Sequence, residues 1–290
     1  IKIRPDFAKR VIVENPEDNK ENNLNQRLLN ENIHYMKEHG ERTVHTRIRS
    51  TIKAKKEFEE VGRKVRVHLP IPKVYEQVSH VEIHASNPEI TYIAPVDAPQ
   101  RTVYFETELK ENQEFMVDYS FDYHVNYVEL DPAKVSEEQP DFCLEEQAPH
   151  IVFTPYLREL RDELAGDETN PIILARRFYD FVTTKVMYSF MREYFTIECI
   201  PEYCAINLKG DCGVQALLFI TLCRMSGIPA RWQSGLYATE YYTGCHDWAQ
   251  FYVAPYGWVF ADLSFGGSAW RAGEIERWNY YFGNLDVFRM

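Results

Sequence analysis

Apolar residues recur with a period of two through most of the first half of the chain. In the longest such run, apolar residues from Phe115 to Tyr127 alternate with mostly polar ones. One apolar and one polar face are typical of a strand in an antiparallel sheet with one side in water. Shorter segments of the same kind, separated by prolines, predict a β-sandwich. They span residues 44–52, 65–69, 81–85, 90–93 and 102–109.

The pattern on either side of this region is helical. Residues 17–39 carry apolar positions near helical spacing and are followed by Gly40, a stop signal. Beyond residue 150, Thr154-Pro155 and Asn170-Pro171 each predict an N-cap with proline at the first helical position. A third helix, about 212–226, is apolar enough to be buried on most sides. It precedes strand-like segments at 230–236, 248–253 and 258–263.

These changes of period predict four consecutive segments. They are an N-terminal helical lead at 1–40, a β-sandwich domain at 41–130, an acidic, proline-bearing linker at 131–150 and a final domain at 151–290. Helices followed by antiparallel strands in the final segment indicate an α+β layer. The predicted fold class is therefore α+β, with an antiparallel β-sandwich preceding helices packed on an antiparallel sheet.

Composition excludes several classes of function. The formal net charge of -12 over 290 residues opposes binding to nucleic acid, which needs Lys and Arg to displace phosphate counterions. No stretch approaches the roughly 20 apolar residues of a membrane span, and the first residues lack the apolar core of a signal peptide. We expect a cytoplasmic protein with no membrane partner. Its six cysteines are too sparse for a small disulfide framework, so reduced thiols are the simpler interpretation.

One cysteine lies where a loop becomes the predicted buried helix, in the sequence Gly210-Asp211-Cys212-Gly213. A helix N-terminus carries partial positive charge, which lowers the pKa of a thiol and favours the nucleophilic thiolate. Gly213 leaves room for a substrate, and the Cys212 amide could donate to an oxyanion. The local sequence is equally compatible with a small buried core residue.

A histidine and an aspartate extend this pattern. His246 enters one predicted strand and Asp262 ends the next, with a turn-like Ala-Pro-Tyr-Gly sequence at 254–257. Side chains alternate between faces, so the two residues share a face only if the hairpin loop has an odd number of residues. We predict a loop of three or five residues. A carboxylate–imidazole hydrogen bond would then fix the tautomer of His246 and support it as the base for Cys212.

The order of these motifs resembles the core of the transglutaminase-like superfamily. The resemblance covers roughly 171–265, with Gly-Asp-Cys-Gly at 210–213, Ser-Gly-Ile-Pro-Ala-Arg at 226–231, His-Asp-Trp-Ala at 246–249, Tyr-Gly-Trp at 256–258, and Asp262. It implies a papain-like core, preceded here by a domain that resembles the β-sandwich of many bacterial members. It also implies Cys212 as nucleophile, His246 as base and Asp262 as the residue that orients the base.

The chain departs from the family pattern in two places. Asp262 is followed by Leu263-Ser264, where many relatives have proline and a hydroxyl residue, which we interpret as a change in the loop behind the acid. No tryptophan precedes Trp232, whereas the cross-linking transglutaminases use an upstream tryptophan to hold the oxyanion. Tyr188 is the substitute candidate because a phenol can donate a hydrogen bond. Further candidates are Tyr203 and Asn207.

The expected activity is acyl transfer from an amide or peptide substrate through an acyl-enzyme on Cys212. Hydrolysis, as by a cysteine peptidase or amidase, is the first choice, and protein cross-linking by amine capture is the second. Another class is a catalytically silent binding module on the same fold. A zinc protein using Cys199, Cys204, Cys212 and His246 is a further alternative. The preferred interpretation requires no cofactor or metal, and the sequence does not indicate an oligomeric state.

Overall fold

The chain folds into two compact units. In the computed structural model the described residues are 16–290, with side chains described from residue 24. One unit comprises Glu41–Val125 and Val287–Met290, and the other comprises Asn126–Asp286 with the segment that ends at Gly40. Helix α1 (Pro16–His39) belongs to the second unit, and its position confirms the helix predicted at 17–39. None of the described helices is long and apolar enough to cross a membrane.

The first unit is the β-sandwich that the alternating pattern predicts. Its strands are β1 (Glu41–Lys53), β2 (Lys64–Pro70), β3 (Val78–Asn87), β4 (Tyr92–Ile93), β5 (Thr102–Glu108) and β6 (Glu114–Asn126). They form two three-stranded sheets with the strand orders β1-β6-β3 and β2-β5-β4. Phe105 and Phe115, one from each sheet, are buried with ring centroids 5.7 Å apart. The apolar faces of the strands therefore form a core between the two sheets.

The second unit surrounds a four-stranded antiparallel sheet. Its helices are α2 (Pro155–Ala165), α3 (Pro171–Lys185), α4 (Ile200–Asn207), α5 (Cys212–Met225), α6 (Leu263–Ala272) and α7 (Ile275–Tyr280). Its strands are β7 (Met187–Tyr188), β8 (Lys209–Gly210), β9 (Ala230–Ala238), β10 (Thr243–Val253), β11 (Gly257–Ala261) and β12 (Phe282–Gly283). The sheet order is β12-β11-β10-β9, while β7 and β8 form a short parallel pair. Helix α5 is buried along most of its length and packs on β9 and β10.

The helix boundaries follow the capping signals in the sequence. The Thr154 hydroxyl accepts a hydrogen bond from the Leu157 N–H, and the Asn170 side chain accepts one from the Ile172 N–H. Both side chains satisfy N–H groups that have no partner inside the helix. Behind the acid, however, the interpretation of Leu263 as part of a loop is wrong. Leu263 begins α6, because the Asp262 side chain caps that helix by accepting from the Phe265 N–H.

Helix α6 lies against α3 at a close contact that only glycine permits. A Cβ atom on Gly266 would lie 2.0 Å from the Tyr179 hydroxyl oxygen and 2.7 Å from its ring carbon Cζ. Tyr179 cannot easily move, because it is fully buried and its hydroxyl donates to the Trp278 carbonyl at 2.7 Å. Gly266 therefore sets the position of the helix that Asp262 caps.

Gly266→Ala is expected to lower the free energy of unfolding by about 1–3 kcal/mol, because the added methyl group overpacks the contact with Tyr179. This loss should exceed the gain of up to about 1 kcal/mol from the better helix propensity of alanine. Equilibrium unfolding in urea measures the difference. Ser268→Ala, at an exposed position of the same helix, is the matched control and should change little. Equal stability of the two variants would contradict the assignment.

Candidate active site

Cys212 is the first residue of the buried helix α5. Asp211 caps this helix by accepting from the Val214 N–H at 3.0 Å, and it also accepts from the Tyr194 hydroxyl at 2.5 Å. The Gln215 side chain donates to the Gly210 carbonyl at 2.8 Å and holds the preceding turn. Cys212 retains 9% of its surface exposed. Its own N–H, at the first helical position, has no partner within the helix.

The hairpin of β10 and β11 brings the predicted base and acid together. Strand pairing runs from Ala249 opposite Ala261 to Val253 opposite Gly257, which leaves the three loop residues 254–256. This odd number confirms the predicted loop length. By the same register His246 and Asp262 are diagonal neighbours on one face, the arrangement that lets long side chains meet across two strands.

His246 and Asp262 form a buried hydrogen-bonded pair. The Nε2 atom of His246 lies 2.7 Å from Oδ2 of Asp262, and both side chains are buried. The other carboxylate oxygen accepts from the Phe265 N–H at 3.0 Å, and the Phe265 ring stacks on the imidazole with centroids 4.6 Å apart. An ionised carboxylate only accepts hydrogen bonds, so the imidazole proton lies on Nε2. The Nδ1 atom is left to accept a proton.

The sulfur of Cys212 has a different neighbour. Its thiol donates to Oδ2 of Asp247 at 3.4 Å. Among the described residues, therefore, the thiol donates to Asp247 and makes no hydrogen bond to His246. His246 and Asp247 are adjacent in β10, but their side chains form hydrogen bonds with different groups. His246 bonds to Asp262, and Asp247 bonds to Cys212.

The sequence of the region around Cys212 and His246 matches a known family. The profile of the transglutaminase-like superfamily matches residues 158–263, which include Cys212, His246 and Asp262. Residues 158–263 are a transglutaminase-like domain. Its core of helices on an antiparallel sheet is a fold of cysteine hydrolases and acyltransferases, and this confirms the predicted fold class.

The chain also resembles solved structures. One is described as a "Putative Cysteine Protease" from Cytophaga hutchinsonii, with 17% identity, a TM-score of 0.54 and coverage of 77% of this chain and 79% of that chain. Another is the periplasmic domain of TgpA from Pseudomonas aeruginosa, with 15% identity, a TM-score of 0.43 and coverage of 76% and 75%. No curated protein sequence matches. At these identities the likeness to the first structure is one of fold.

The pKa of the Cys212 thiol in the transglutaminase-like domain is raised to about 12. Burial of the sulfur is the largest cause, and the negative charge of Asp247 is the next. The expectation of a lowered pKa, based on the helix N-terminus alone, is therefore wrong for this environment. Because the pKa lies far above neutral pH, the thiol is protonated in the unliganded protein, and it could act as a nucleophile only if a base removed its proton.

Tyr188, the candidate oxyanion donor, lies beside the sulfur. Its strand β7 pairs with β8 so that Tyr188 is opposite Gly210, two residues before Cys212. The pKa of the phenol is raised to about 12, by partial desolvation first and then by the negative charge of a Cys212 thiolate, although 57% of the residue's surface is exposed. A phenol with this pKa keeps its proton and can donate it in a hydrogen bond. The alternatives Tyr203 and Asn207 are both on α4, where the Asn207 amide donates to the Tyr203 carbonyl.

Of two further residues near Cys212, Gly213 differs from its predicted role and Tyr194 could not be identified from the sequence. A Cβ atom on Gly213 would lie 2.4 Å from the Tyr194 hydroxyl and 2.9 Å from the Asp247 carboxylate. Gly213 is thus enclosed by polar groups, and the prediction that it leaves room for a substrate is wrong. Tyr194 lies in a 3-10 helix (Tyr194–Thr196), and nothing in its local sequence distinguishes it from the other tyrosines.

The zinc alternative has no ligand set in the described part of the chain, where no group of three or more His, Cys, Asp or Glu side chains could hold a metal ion. All six cysteines are free thiols. Cys204 is fully buried, and burial raises its pKa well above the ordinary range. Cys204 therefore behaves as an apolar core residue, whereas Cys199 at the start of α4 is partly exposed.

A cleft of about 450 Å³ reaches the candidate base. His246 and Tyr188 line one part of it, and residues of α1, α6 and α7 line the rest. Its walls include Tyr237 and Phe265, whose rings meet edge to face with centroids 5.0 Å apart. The cleft has the volume of a small-ligand site, and Cys212 is not among the described residues that line it.

Asp247→Asn is expected to lower the pKa of Cys212, because it removes the negative charge beside the sulfur and keeps the shape of the side chain. The pH midpoint for alkylation of the Cys212 peptide by iodoacetamide, followed by mass spectrometry, should move to lower pH. Asp162→Asn, at an exposed position of α2, is the control and should leave the midpoint in place. An unchanged midpoint in Asp247→Asn would show that the charge of Asp247 does not raise the pKa of Cys212.

Proposed function

We propose that the protein is a cysteine hydrolase that cleaves amide or peptide bonds through an acyl-enzyme on Cys212. The observation that carries this proposal is the buried 2.7 Å bond between His246 and Asp262 in the same domain as a cysteine at the start of a buried helix. A buried imidazole held by a carboxylate at one nitrogen has its other nitrogen available for proton transfer. The transglutaminase-like fold supports this chemistry.

The first half of the reaction begins when a substrate displaces the thiol from Asp247. Nδ1 of His246 accepts the thiol proton as the sulfur attacks the carbonyl carbon. The carbon–oxygen double bond becomes a single bond with negative charge on the oxygen. The Tyr188 hydroxyl and the Cys212 N–H are the candidate donors to that oxygen. Collapse of this intermediate breaks the carbon–nitrogen bond, and His246 gives the proton to the departing amine.

The second half of the reaction releases the acyl group from its thioester. His246 removes a proton from water while the water oxygen attacks the thioester carbon. The carbon–sulfur bond breaks, the sulfur takes back a proton from His246, and a carboxylic acid leaves. The same step with an amine in place of water would be the cross-linking reaction, so the acceptor is decided by which nucleophile reaches the thioester.

Cys212→Ala tests the nucleophile. Hydrolysis of a library of acetylated peptide amides, followed by mass spectrometry, should fall by at least roughly 10³-fold in this variant, since no thioester can form. The free energy of unfolding should change little, because the side chain loses only a sulfur at the edge of the core. Adding a primary amine to the wild-type reaction distinguishes the acceptors. Mostly free acid supports a hydrolase, mostly amine conjugate indicates cross-linking, and activity equal to that of Cys212→Ala indicates a binding module.

Asp262→Asn tests whether the His246–Asp262 pair works as a unit. The amide oxygen can still cap α6, but the side chain no longer stabilises the imidazolium and favours the wrong tautomer. Turnover should fall by roughly 10²- to 10⁴-fold, less than in Cys212→Ala, while thermal unfolding stays near that of the wild type. Asp262→Ala should lose the cap as well and unfold at lower temperature. Normal turnover of Asp262→Asn would remove Asp262 from the mechanism.

A further inference from the structure

We infer that the cleft beside His246 binds a carboxylate of the substrate, held by Arg277 and Arg271. The substrate class is then an amide that carries a free carboxylate near the bond to be cleaved. This inference rests on the proposed function for its place in catalysis, but the binding itself can be measured without turnover.

Arg277 is a buried cation without an anionic partner in the described structure. Only 5% of its surface is exposed, although a guanidinium stays charged at any relevant pH. It donates one hydrogen bond, from Nη1 to Oδ1 of Asn30 at 3.2 Å. No carboxylate of the described residues lies within ion-pair distance of it. A buried charge of this kind is costly unless an opposite charge joins it, and Arg277 lines the cleft.

Arg271 gives the same cleft a second cation. Its guanidinium donates to the Val186 carbonyl, and among the described residues it too has no carboxylate within ion-pair distance. No Asp or Glu appears among the described residues that line the cleft. Positive charge is therefore concentrated at this site in a protein with a net charge of -12. An anion is the ligand that such a site favours, and guanidinium groups match the geometry of a carboxylate.

The side chain of Gln26 indicates that the anion belongs to a larger amide. Its Oε1 atom is buried and has no hydrogen-bond partner among the residues whose side chains are described, and Gln26 lines the cleft together with Arg277. A buried acceptor without a donor costs about 1–3 kcal/mol. A peptide N–H next to the bound carboxylate would satisfy it. The same cleft extends to His246, so the carboxylate would bind beside the reacting carbonyl.

Binding of three small amides to the Cys212→Ala variant tests the inference by isothermal titration calorimetry. Acetylglutamic acid α-amide has a side-chain carboxylate only, acetylglutamine has a terminal carboxylate only, and acetylglutamine α-amide has none. At least one of the two anions is expected to bind at least roughly 10-fold more tightly than the neutral amide, which corresponds to about 1.4 kcal/mol. The tighter anion identifies which carboxylate the site takes. Equal binding of all three, or no binding, would overturn the inference.

Substitutions then assign the selectivity to Arg277. In the Cys212→Ala background, Arg277→Gln should abolish the preference for the anion, and Arg277→Lys should keep part of it. Asn30→Ala is the matched control, because it breaks the same hydrogen bond but leaves the charge, and it should preserve the preference. A preference that survives Arg277→Gln would overturn the assignment. If the anions bind as expected and the wild type still hydrolyses no amide, the proposed function fails while the carboxylate site stands.

Discussion

A carboxylate buried without exposed surface is destabilising by several kcal/mol unless both of its oxygens find partners. Both oxygens of Asp262 have partners. One bonds to the imidazole of His246, and the other accepts from the Phe265 N–H in the first turn of α6. The same side chain therefore ends the hairpin, starts the helix and orients the ring. Replacing either partner would leave charge unpaired in the core, so the geometry of His246 is tied to the stability of the domain.

The environment of the Cys212 sulfur, unlike that of the Asp262 carboxylate, disfavours the ionised form of the group. Asp211 and Asp247 place two carboxylates around a thiol that is also largely buried, and together these raise its pKa to about 12. The partial positive charge at the start of α5 does not compensate, since its effect is worth at most about 2 kcal/mol. A preformed thiolate–imidazolium pair is disfavoured in this state. In the proposed mechanism, proton transfer from Cys212 to His246 would therefore accompany attack, and a bound substrate would first displace the thiol from Asp247.

Those parts of the site that depend on period and local chemistry could be predicted from the sequence. The hairpin pattern predicts that His246 and Asp262 share a face when the loop has an odd number of residues. The capping residues predict where α2 and α3 begin. The contact of Asp247 with the sulfur could not be predicted, because alternation in β10 says which face a side chain takes and not what lies opposite. The position of α1 at the cleft could not be predicted either. The Tyr237 hydroxyl donates to Oδ1 of Asn25 at 2.8 Å, and these residues are 212 positions apart in the sequence.

Charge is distributed unevenly across the site, and this has a consequence for how a substrate would lie. The carboxylates of Asp247 and Asp211 act on the sulfur, whereas the cleft that His246 lines contains two guanidinium groups and, among its described residues, no acid. An anionic group near Cys212 would be repelled by Asp211 and Asp247, while the same group beside Arg277 would be attracted. For the proposed substrate, the two fields would therefore favour the orientation in which the carboxylate lies toward α7 and the scissile carbonyl toward the sulfur. Orientation of this kind lowers the barrier to attack because a correctly placed carbonyl needs no further alignment.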